Sequence, residues 1–224
     1  MPQTCPPEQN TITGAGGGSE PEGPAAPAVR VRRPDGGIAH FDEIVTPHPA
    51  VALLFRRRTF LVLVGILAIV PFARPQPLTL AVGIGLAVLA EAWRFWAAGT
   101  IHKTEELTTG GPYAIVRHPL YVGSFGHAIA FCLMSGRWES ALLVIPLFVL
   151  VYGAAVTTEE AMLHELFGEE YAAYSLQVPR FLPALRRPRP GRGRFCWRQA
   201  MLNKEYVNVI WLVLLSGLFV WRAQ

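Results

Sequence analysis

The stretch LTLAVGIGLAVLAEAWRFWAA, residues 78–98, decides the fold class of this chain. It is long enough for a helix to cross a bilayer core, which takes about 20 residues. The residues RPQP at 74–77 precede it, and their two prolines end any helix that arrives from the N-terminal side. On that side lies the shorter apolar run Thr59–Ala73, which Ala50–Phe55 can extend. We therefore expect a transmembrane helical hairpin over residues 51–98.

The composition also favours a membrane protein. Hydrophobic residues make up 51% of the chain and charged residues only 16%, whereas soluble domains carry about 25% charged residues. The net charge of +4 is mild and is concentrated in short basic clusters beside apolar runs. This pattern fits contact with lipid headgroups better than nucleic-acid binding, so we expect membrane lipids and no nucleic acid as partners. The three cysteines are far apart and form no CxxC pair, so we expect no metal site.

Residues 1–50 are rich in proline and glycine and contain few large apolar side chains. Such a segment cannot bury enough surface to offset its ordering entropy, so we predict a disordered tail. The first apolar run begins only near Thr59, and we expect no cleavable signal peptide.

A second hairpin follows a polar, turn-rich segment at residues 99–117. Its apolar runs are Leu120–Ser135 and Ala141–Val156. The next residues, Glu159–Tyr174, show amphipathic helical spacing, with a kink expected at Gly168. The final run, Val207–Trp221, is either a fifth span or an interfacial helix. The expected fold is all-α: a polytopic membrane protein with four or five transmembrane helices and a cytoplasmic amphipathic helix.

Two polar motifs stand where the second hairpin begins and ends. The first runs from Tyr113 through Arg117 and His118 to Tyr121, and the second is the pair Glu159 and Glu160. Because a helical hairpin brings its two ends together, we expect the motifs to converge at the cytoplasmic membrane boundary. Ionisable groups at such a boundary are costly unless they pair or bind a ligand.

Each of these residues also has a plain structural interpretation. Arg117 can mark the end of a span, His118 can start a helix, and the glutamates can cap the amphipathic helix. The two tyrosines can be interfacial, and His127, alone in an apolar run, can be a packed core residue. The combination of residues, rather than any one of them, points to a ligand site.

The motifs GPY (111–113), RHPLYVG (117–123), EE (159–160), FGEEY (167–171) and VPR (178–180) resemble the isoprenylcysteine carboxyl methyltransferase family. The phospholipid N-methyltransferases are similar in the RHPxYxG and Glu-Glu parts. The resemblance covers roughly residues 78–185. It implies a helical membrane enzyme that encloses S-adenosylmethionine (SAM) in a pocket open to the cytosol, with a lateral path for a lipophilic acceptor. The cofactor-binding residues it implies are Leu107, Tyr113, Arg117, His118, Pro119, Leu120, Tyr121 and Glu159.

The charges of these residues agree with that implication. The sulfonium and amino groups of SAM are cationic and suit Glu159, while its carboxylate suits Arg117 or His118. Glu160 and His118 are the candidates for a catalytic base. The family usually has an arginine shortly before the paired glutamates, but residues 153–158 contain no basic residue. The methyl acceptor, a carboxylate, an amine or a thiol, therefore stays open.

The predicted function is methyl transfer from SAM to a lipophilic or small acceptor at the cytoplasmic face of the membrane. An NADPH-dependent membrane sterol-type reductase is one alternative, although Leu120 and Ser124 replace the Asn and Glu expected there. A non-catalytic scaffold or transporter is another. We divide the chain into a tail (1–50), a transmembrane hairpin (51–98), a SAM-binding core (99–185), and a basic loop with a C-terminal apolar helix (186–224).

Overall fold

The computed structural model describes residues 49–101, 106–183 and 191–224, with side chains from Arg57 onward. These ranges contain six α-helices and no strand, so the all-helical class is confirmed. The predictions for residues 1–48 and for part of the basic loop (184–190) lie outside the described residues. The helices are α1 (Pro49–Ile69), α2 (Pro77–Thr100), α3 (Pro119–Met134), α4 (Glu139–Gln177), α5 (Trp197–Leu202) and α6 (Glu205–Arg222).

Two tight turns lie together at the end of the bundle that we call the far end. The first joins α1 to α2 and contains the prolines; α2 starts at Pro77, where the missing N–H costs no helical hydrogen bond. The second joins α3 to α4. The Arg74 amide donates to the Ser135 carbonyl at 2.8 Å, which ties the two turns to each other. The two predicted hairpins therefore lie side by side.

Gly136 permits this close approach of the two turns. Its φ is +65°, a left-handed conformation, and a Cβ there would overlap the Arg74 carbonyl. We expect Gly136→Ala to destabilise the purified protein by about 2 kcal/mol or more. Thermal unfolding in detergent measures this. Gly85→Ala is the control, because a Cβ at Gly85 meets nothing within 4 Å; an equal loss in both variants would contradict the assignment.

Helices α2 and α3 pack through small residues. A Cβ added at Gly126 would press against Ala90. A Cβ added at Gly83 would contact Met134 and the Ala130 carbonyl. Small residues let two membrane helices approach closely, so that van der Waals contact and interhelical hydrogen bonds hold them. Trp93 adds such a bond, from its Nε1 to the Pro119 carbonyl at 2.9 Å. This packing fixes the start of α3 against α2.

The apolar core lies between α1, α3, α4 and α6. Phe131, Phe148 and Phe219 are buried in it, and the Phe131 and Phe219 rings stack at 6.1 Å. Many large apolar side chains point outward instead, among them Val88, Leu89, Leu142, Leu150 and Val213. An outward apolar face of this kind suits lipid better than water.

Three helices, α2, α4 and α6, are long and apolar enough to cross a membrane, while α3, with 16 residues, is shorter. Helix α6 runs the length of the bundle. At its start Glu205 accepts a hydrogen bond from Arg94 at 2.7 Å, and at its end Arg222 donates to the Pro71 carbonyl in the far-end turn at 3.0 Å. Residues 207–221, for which two interpretations were left open, therefore lie in a helix long and apolar enough to cross a membrane.

Helix α4 joins the fourth apolar run and the predicted amphipathic helix into one element of 39 residues. It breaks at Gly168, whose φ of 48° and ψ of −121° are not helical, at the predicted kink position. The C-terminal part, 169–177, is thereby directed over the end of the bundle opposite the far-end turns. We call this the site end.

Candidate active site

The site end brings together the start of α3 and the middle of α4. His118 immediately precedes α3, and Pro119 begins the helix. Glu159 and Glu160 lie where the apolar part of α4 ends. Because α3 runs away from the site end and α4 runs back to it, residues 42 positions apart in the sequence come into contact.

Glu160 binds three nitrogen-bearing side chains at once. Its Oε1 lies 3.1 Å from Arg117 Nη1 and 3.1 Å from His118 Nε2. Arg180 donates from Nε to both carboxylate oxygens at 3.0 and 3.1 Å, and from Nη2 to Oε2 at 2.7 Å. Two guanidinium groups thus face one carboxylate, which leaves a surplus of positive charge. This half of the site suits an anionic group.

Glu159 has the opposite electrostatic environment. The Tyr121 hydroxyl donates to its Oε2, and among residues that the structure describes no basic side chain lies within ion-pair distance of it. The Tyr121 ring stacks on the His118 ring, with centroids 5.5 Å apart and planes 12° apart. Arg58 on α1 stands 5.8 Å from the centre of the Tyr121 ring. Since no countercharge from the described part of the chain reaches Glu159, this half of the site suits a cationic group.

The segment after α4 crosses the start of α3 and is hydrogen-bonded to it. The backbone amide of Arg117 donates to the Pro179 carbonyl at 2.8 Å, and that of His118 to the Arg180 carbonyl at 3.3 Å. The Tyr174 hydroxyl donates to the Tyr113 carbonyl at 2.7 Å. These bonds place Arg180, whose side chain is 54% exposed, as the outer wall of the Glu160 cluster.

Three buried polar atoms beside the glutamates have no hydrogen-bond partner within the described ranges: Tyr113 Oη, Arg117 Nε and Tyr171 Oη. Tyr171 lies next to the Arg117 guanidinium without forming a well-aligned bond. Burial, reinforced by the Glu159 charge, raises the pKa of the Tyr113 hydroxyl well above its usual value. That hydroxyl is therefore a neutral donor. Unpaired buried donors are costly to a fold, so a cluster of three indicates a ligand or ordered water.

The structure brings some of the sequence-predicted site residues together at the site end and places others elsewhere. Tyr113, Arg117, His118, Tyr121, Glu159 and Glu160 converge. Pro119 and Leu120 face α2 through their carbonyls, which accept from Trp93 and Arg94. Leu107 is buried in a segment whose neighbours Thr109 and Gly110 bond to the Arg192 carbonyl at 3.1 and 2.6 Å. The cofactor role predicted for these three residues stays a prediction.

Sequence reasoning did not single out Arg180, Tyr171 or Tyr174 as parts of the site. For Tyr171 and Arg180 the signal was present in the FGEEY and VPR motifs, which were used only to recognise the family; Tyr174 lies in neither motif and was assigned only to the amphipathic helix. Their contacts depend on the break at Gly168 and on the path of residues 178–181, and neither follows from helical periodicity.

The chain is similar to known membrane methyltransferases. Residues 79–170 match the phospholipid methyltransferase family. The protein-S-isoprenylcysteine O-methyltransferase of Schizosaccharomyces pombe is 38% identical over 84 residues, which are 38% of this chain and 36% of that protein. No solved structure matches the chain significantly.

Two bacterial proteins named for metal resistance are also similar. The cobalt-zinc-cadmium resistance protein CzcN of Cupriavidus metallidurans is 30% identical over 143 residues, 63% of this chain and 65% of the relative. The nickel-cobalt-cadmium resistance protein NccN of Alcaligenes xylosoxydans xylosoxydans is 34% identical over 108 residues, 47% of this chain and 50% of the relative. The chain therefore spans less than two thirds of each of these relatives. Their names describe a phenotype and specify no chemistry.

Proposed function

We propose that the site end binds SAM and transfers its methyl group. The match of residues 79–170 to the phospholipid methyltransferase family and the similarity to a protein-S-isoprenylcysteine O-methyltransferase support this proposal. The observation that carries the proposal is the charge division of the site. Glu160 is surrounded by excess positive charge, and Glu159 next to it has no countercharge within ion-pair distance in the described chain. SAM carries a carboxylate at one end and a sulfonium nearby, so a divided site of this kind matches it.

The unpartnered donors and the apolar surfaces of the site also match the groups of SAM. The unpartnered Arg117 Nε and the hydroxyls of Tyr113 and Tyr171 are donors that a carboxylate would satisfy. Glu159 would face the sulfonium or the amino group. Leu107 and the rings of Tyr121 and His118 offer apolar surface of the kind that adenine requires. Bound there, SAM would supply a methyl group already activated by its positive sulfur.

In this proposal the protein mainly positions the reactants. Arg117 and His118 hold the anionic end, Glu159 offsets the positive charge, and the apolar bundle excludes water. Alignment of this kind can contribute about 7–11 kcal/mol to the barrier reduction. Glu160, occupied by three partners, suits a positioning role.

We also propose that the site end faces the cytoplasm and that α1 and α3 cross the membrane with α2, α4 and α6. The basic residues support the orientation. More of the described basic residues lie at or near the site end than near the far end. The site end has, among others, Arg57, Arg58, Arg192, Arg194, Arg198 and Lys204, whereas Arg74, Arg137 and Arg222 lie near the far end. Cytoplasmic segments of membrane proteins carry such an excess. On this topology the amphipathic part of α4 is cytoplasmic.

Binding of methyl-labelled SAM to wild-type protein and to Arg117→Ala in lipid nanodiscs tests the proposal. We expect saturable binding to the wild type and an affinity at least about tenfold lower for the variant, because a charge-assisted bond to the carboxylate is lost. Arg137→Ala is the matched control, since Arg137 pairs with Glu139 at the far end. Equal affinities in all three proteins would remove the site assignment.

A further inference from the structure

The first turn of α3 is held from the side by Arg94 of α2. Arg94 Nη1 donates to the Leu120 carbonyl at 3.0 Å and also to the Ser124 hydroxyl. That hydroxyl donates in turn to the same Leu120 carbonyl at 3.0 Å. Leu120 lies between His118 and Tyr121, so a side chain of a neighbouring helix binds the backbone on which these two site residues are carried.

Glu205, at the start of α6, holds the Arg94 guanidinium in this position. Arg94 Nε donates to Glu205 Oε1 at 2.7 Å, and Asn208 Nδ2 donates to Oε2 of the same carboxylate at 3.2 Å. The Arg94 and Glu205 side chains are only 12% and 3% exposed. Because a guanidinium is planar and presents its donors in fixed directions, one group can bind α3 and α6 at once.

Gly123 leaves the space that the Arg94 side chain occupies. A Cβ added at Gly123 would overlap Arg94 Cγ and press against the Ala90 carbonyl. Gly123 is the last residue of the RHPLYVG motif, and the charge division of the site gives it no role. Its position against α2 supplies one, because the bare backbone lets the stem of Arg94 pass beside α3 and reach Leu120 and Ser124.

The turn that Arg94 binds is continuous with the proposed SAM site. The His118 carbonyl accepts from the Tyr121 amide at 3.0 Å, which closes the turn that contains Leu120. The rings of His118 and Tyr121 stack on each other, and the Tyr121 hydroxyl donates to Glu159. A shift of this turn therefore moves both rings relative to Glu159. A misplacement of about 1 Å can lower the rate of a reaction about 100-fold.

We propose that Arg94, held by Glu205, is a positioning residue of the methyl-transfer site. It acts through the backbone of α3 rather than by contact with SAM: it fixes the first turn of α3, and with it His118 and Tyr121, against α2 and α6. Helix α6 thereby contributes to the geometry of the site from a distance. This inference rests on the proposed function.

The test compares the Kd of methyl-labelled SAM for wild-type protein and for the paired variant Arg94→Met/Glu205→Leu, in lipid nanodiscs and well below the Tm of each protein. Replacing both members of a buried ion pair by apolar residues is often neutral for stability, so we expect the variant to fold. The Leu120 carbonyl then loses its donor from α2, and the Kd should rise at least about tenfold. A role confined to stability would leave the Kd of the folded protein unchanged.

Arg222→Leu is the matched control. It removes the hydrogen bond that ties the other end of α6 to the Pro71 carbonyl. The variant can lose stability, but its Kd for SAM should stay within about twofold of the wild-type value, because additivity holds for distant sites. A rise equal to that of the paired variant would mean that any loosening of α6 weakens SAM binding, and it would overturn the role of Arg94.

Adding His118→Ala to the paired variant shows whether Arg94 acts through α3. Because the paired variant already displaces the His118 ring, the further loss of SAM affinity on His118→Ala should be at least about threefold smaller than the loss in the wild type. Fully additive losses would mean that Arg94 affects binding by another route, which would overturn the inference.

Arg94→Lys decides the question if the paired variant does not fold. Lysine keeps the positive charge that faces Glu205 but cannot bind Glu205, Leu120 and Ser124 with one planar group. The Kd for SAM should rise at least about threefold. A wild-type Kd in whichever variant folds would overturn the inference. Loss of folding in Arg94→Lys as well would indicate a purely structural role and would overturn it too.

Wild-type behaviour separates this inference from the proposed function. If wild-type protein binds SAM and the paired variant binds it equally tightly, the positioning role of Arg94 fails while the SAM site stands. If wild-type protein does not bind SAM, the proposed function itself fails, and the inference fails with it.

Discussion

Glu160→Ala should destabilise the protein by about 1–3 kcal/mol, the range for losing hydrogen bonds to a charged group, because one of its three partners, Arg180, is 54% exposed. The variant leaves Arg117, His118 and Arg180 without the carboxylate that they share. Two guanidinium groups then repel each other at the membrane boundary. We also expect SAM binding to be lost, because Arg117 and His118 are no longer held in place. Thermal and denaturant unfolding in detergent measure the first effect.

Glu139→Ala is the matched control for this prediction. Glu139 also pairs with an arginine, but both side chains are substantially exposed, 43% for Glu139 and 34% for Arg137. Exposed pairs contribute about 0–1 kcal/mol. A Glu160→Ala variant as stable as Glu139→Ala would mean that the cluster does not organise the site.

Glu159→Gln and His118→Ala should each lower SAM affinity sharply, by about 10- to 100-fold. The first substitution keeps the shape of the side chain and its bond to Tyr121 but removes the negative charge that we propose pairs with the cationic part of SAM. The second removes the ring on which Tyr121 stacks. Charge-assisted interactions contribute roughly twice as much as neutral ones, so loss of the carboxylate should dominate.

Equilibrium binding of labelled SAM to each purified variant measures these affinities. Tyr206→Phe serves as a control, since Tyr206 is exposed on α6 and lies outside the Glu159–Glu160 cluster. Near-native affinity in both site variants would show that SAM binds elsewhere.

The positions of the helices can be predicted from the sequence because they depend on local features of the chain. Apolar runs of membrane-spanning length and the prolines at Pro75 and Pro77 are sufficient to place α1 and α2. The convergence of Arg117 and His118 with Glu159 and Glu160 followed from one further step, since the two ends of a helical hairpin must meet. The glycine at Gly168 marked the break in α4 correctly.

Helical periodicity and hairpin geometry do not predict the contacts between residues far apart in the sequence. Arg180 reaches Glu160 only because the segment after α4 turns back across α3. Arg94 and Glu205 are 111 positions apart, and no periodicity connects α2 to α6. The sequence did not single out Glu91, which lies 3.4 Å from His127 Nε2. Only the packed helices reveal that arrangement.

Competitive binding to wild-type protein in nanodiscs tests the central claim most directly. Methyl-labelled SAM should bind saturably, with one site per chain, and S-adenosylhomocysteine should displace it while NADPH does not. Saturable binding of NADPH with no binding of SAM would contradict the account, because the divided charges around Glu159 and Glu160 would then serve a different cofactor.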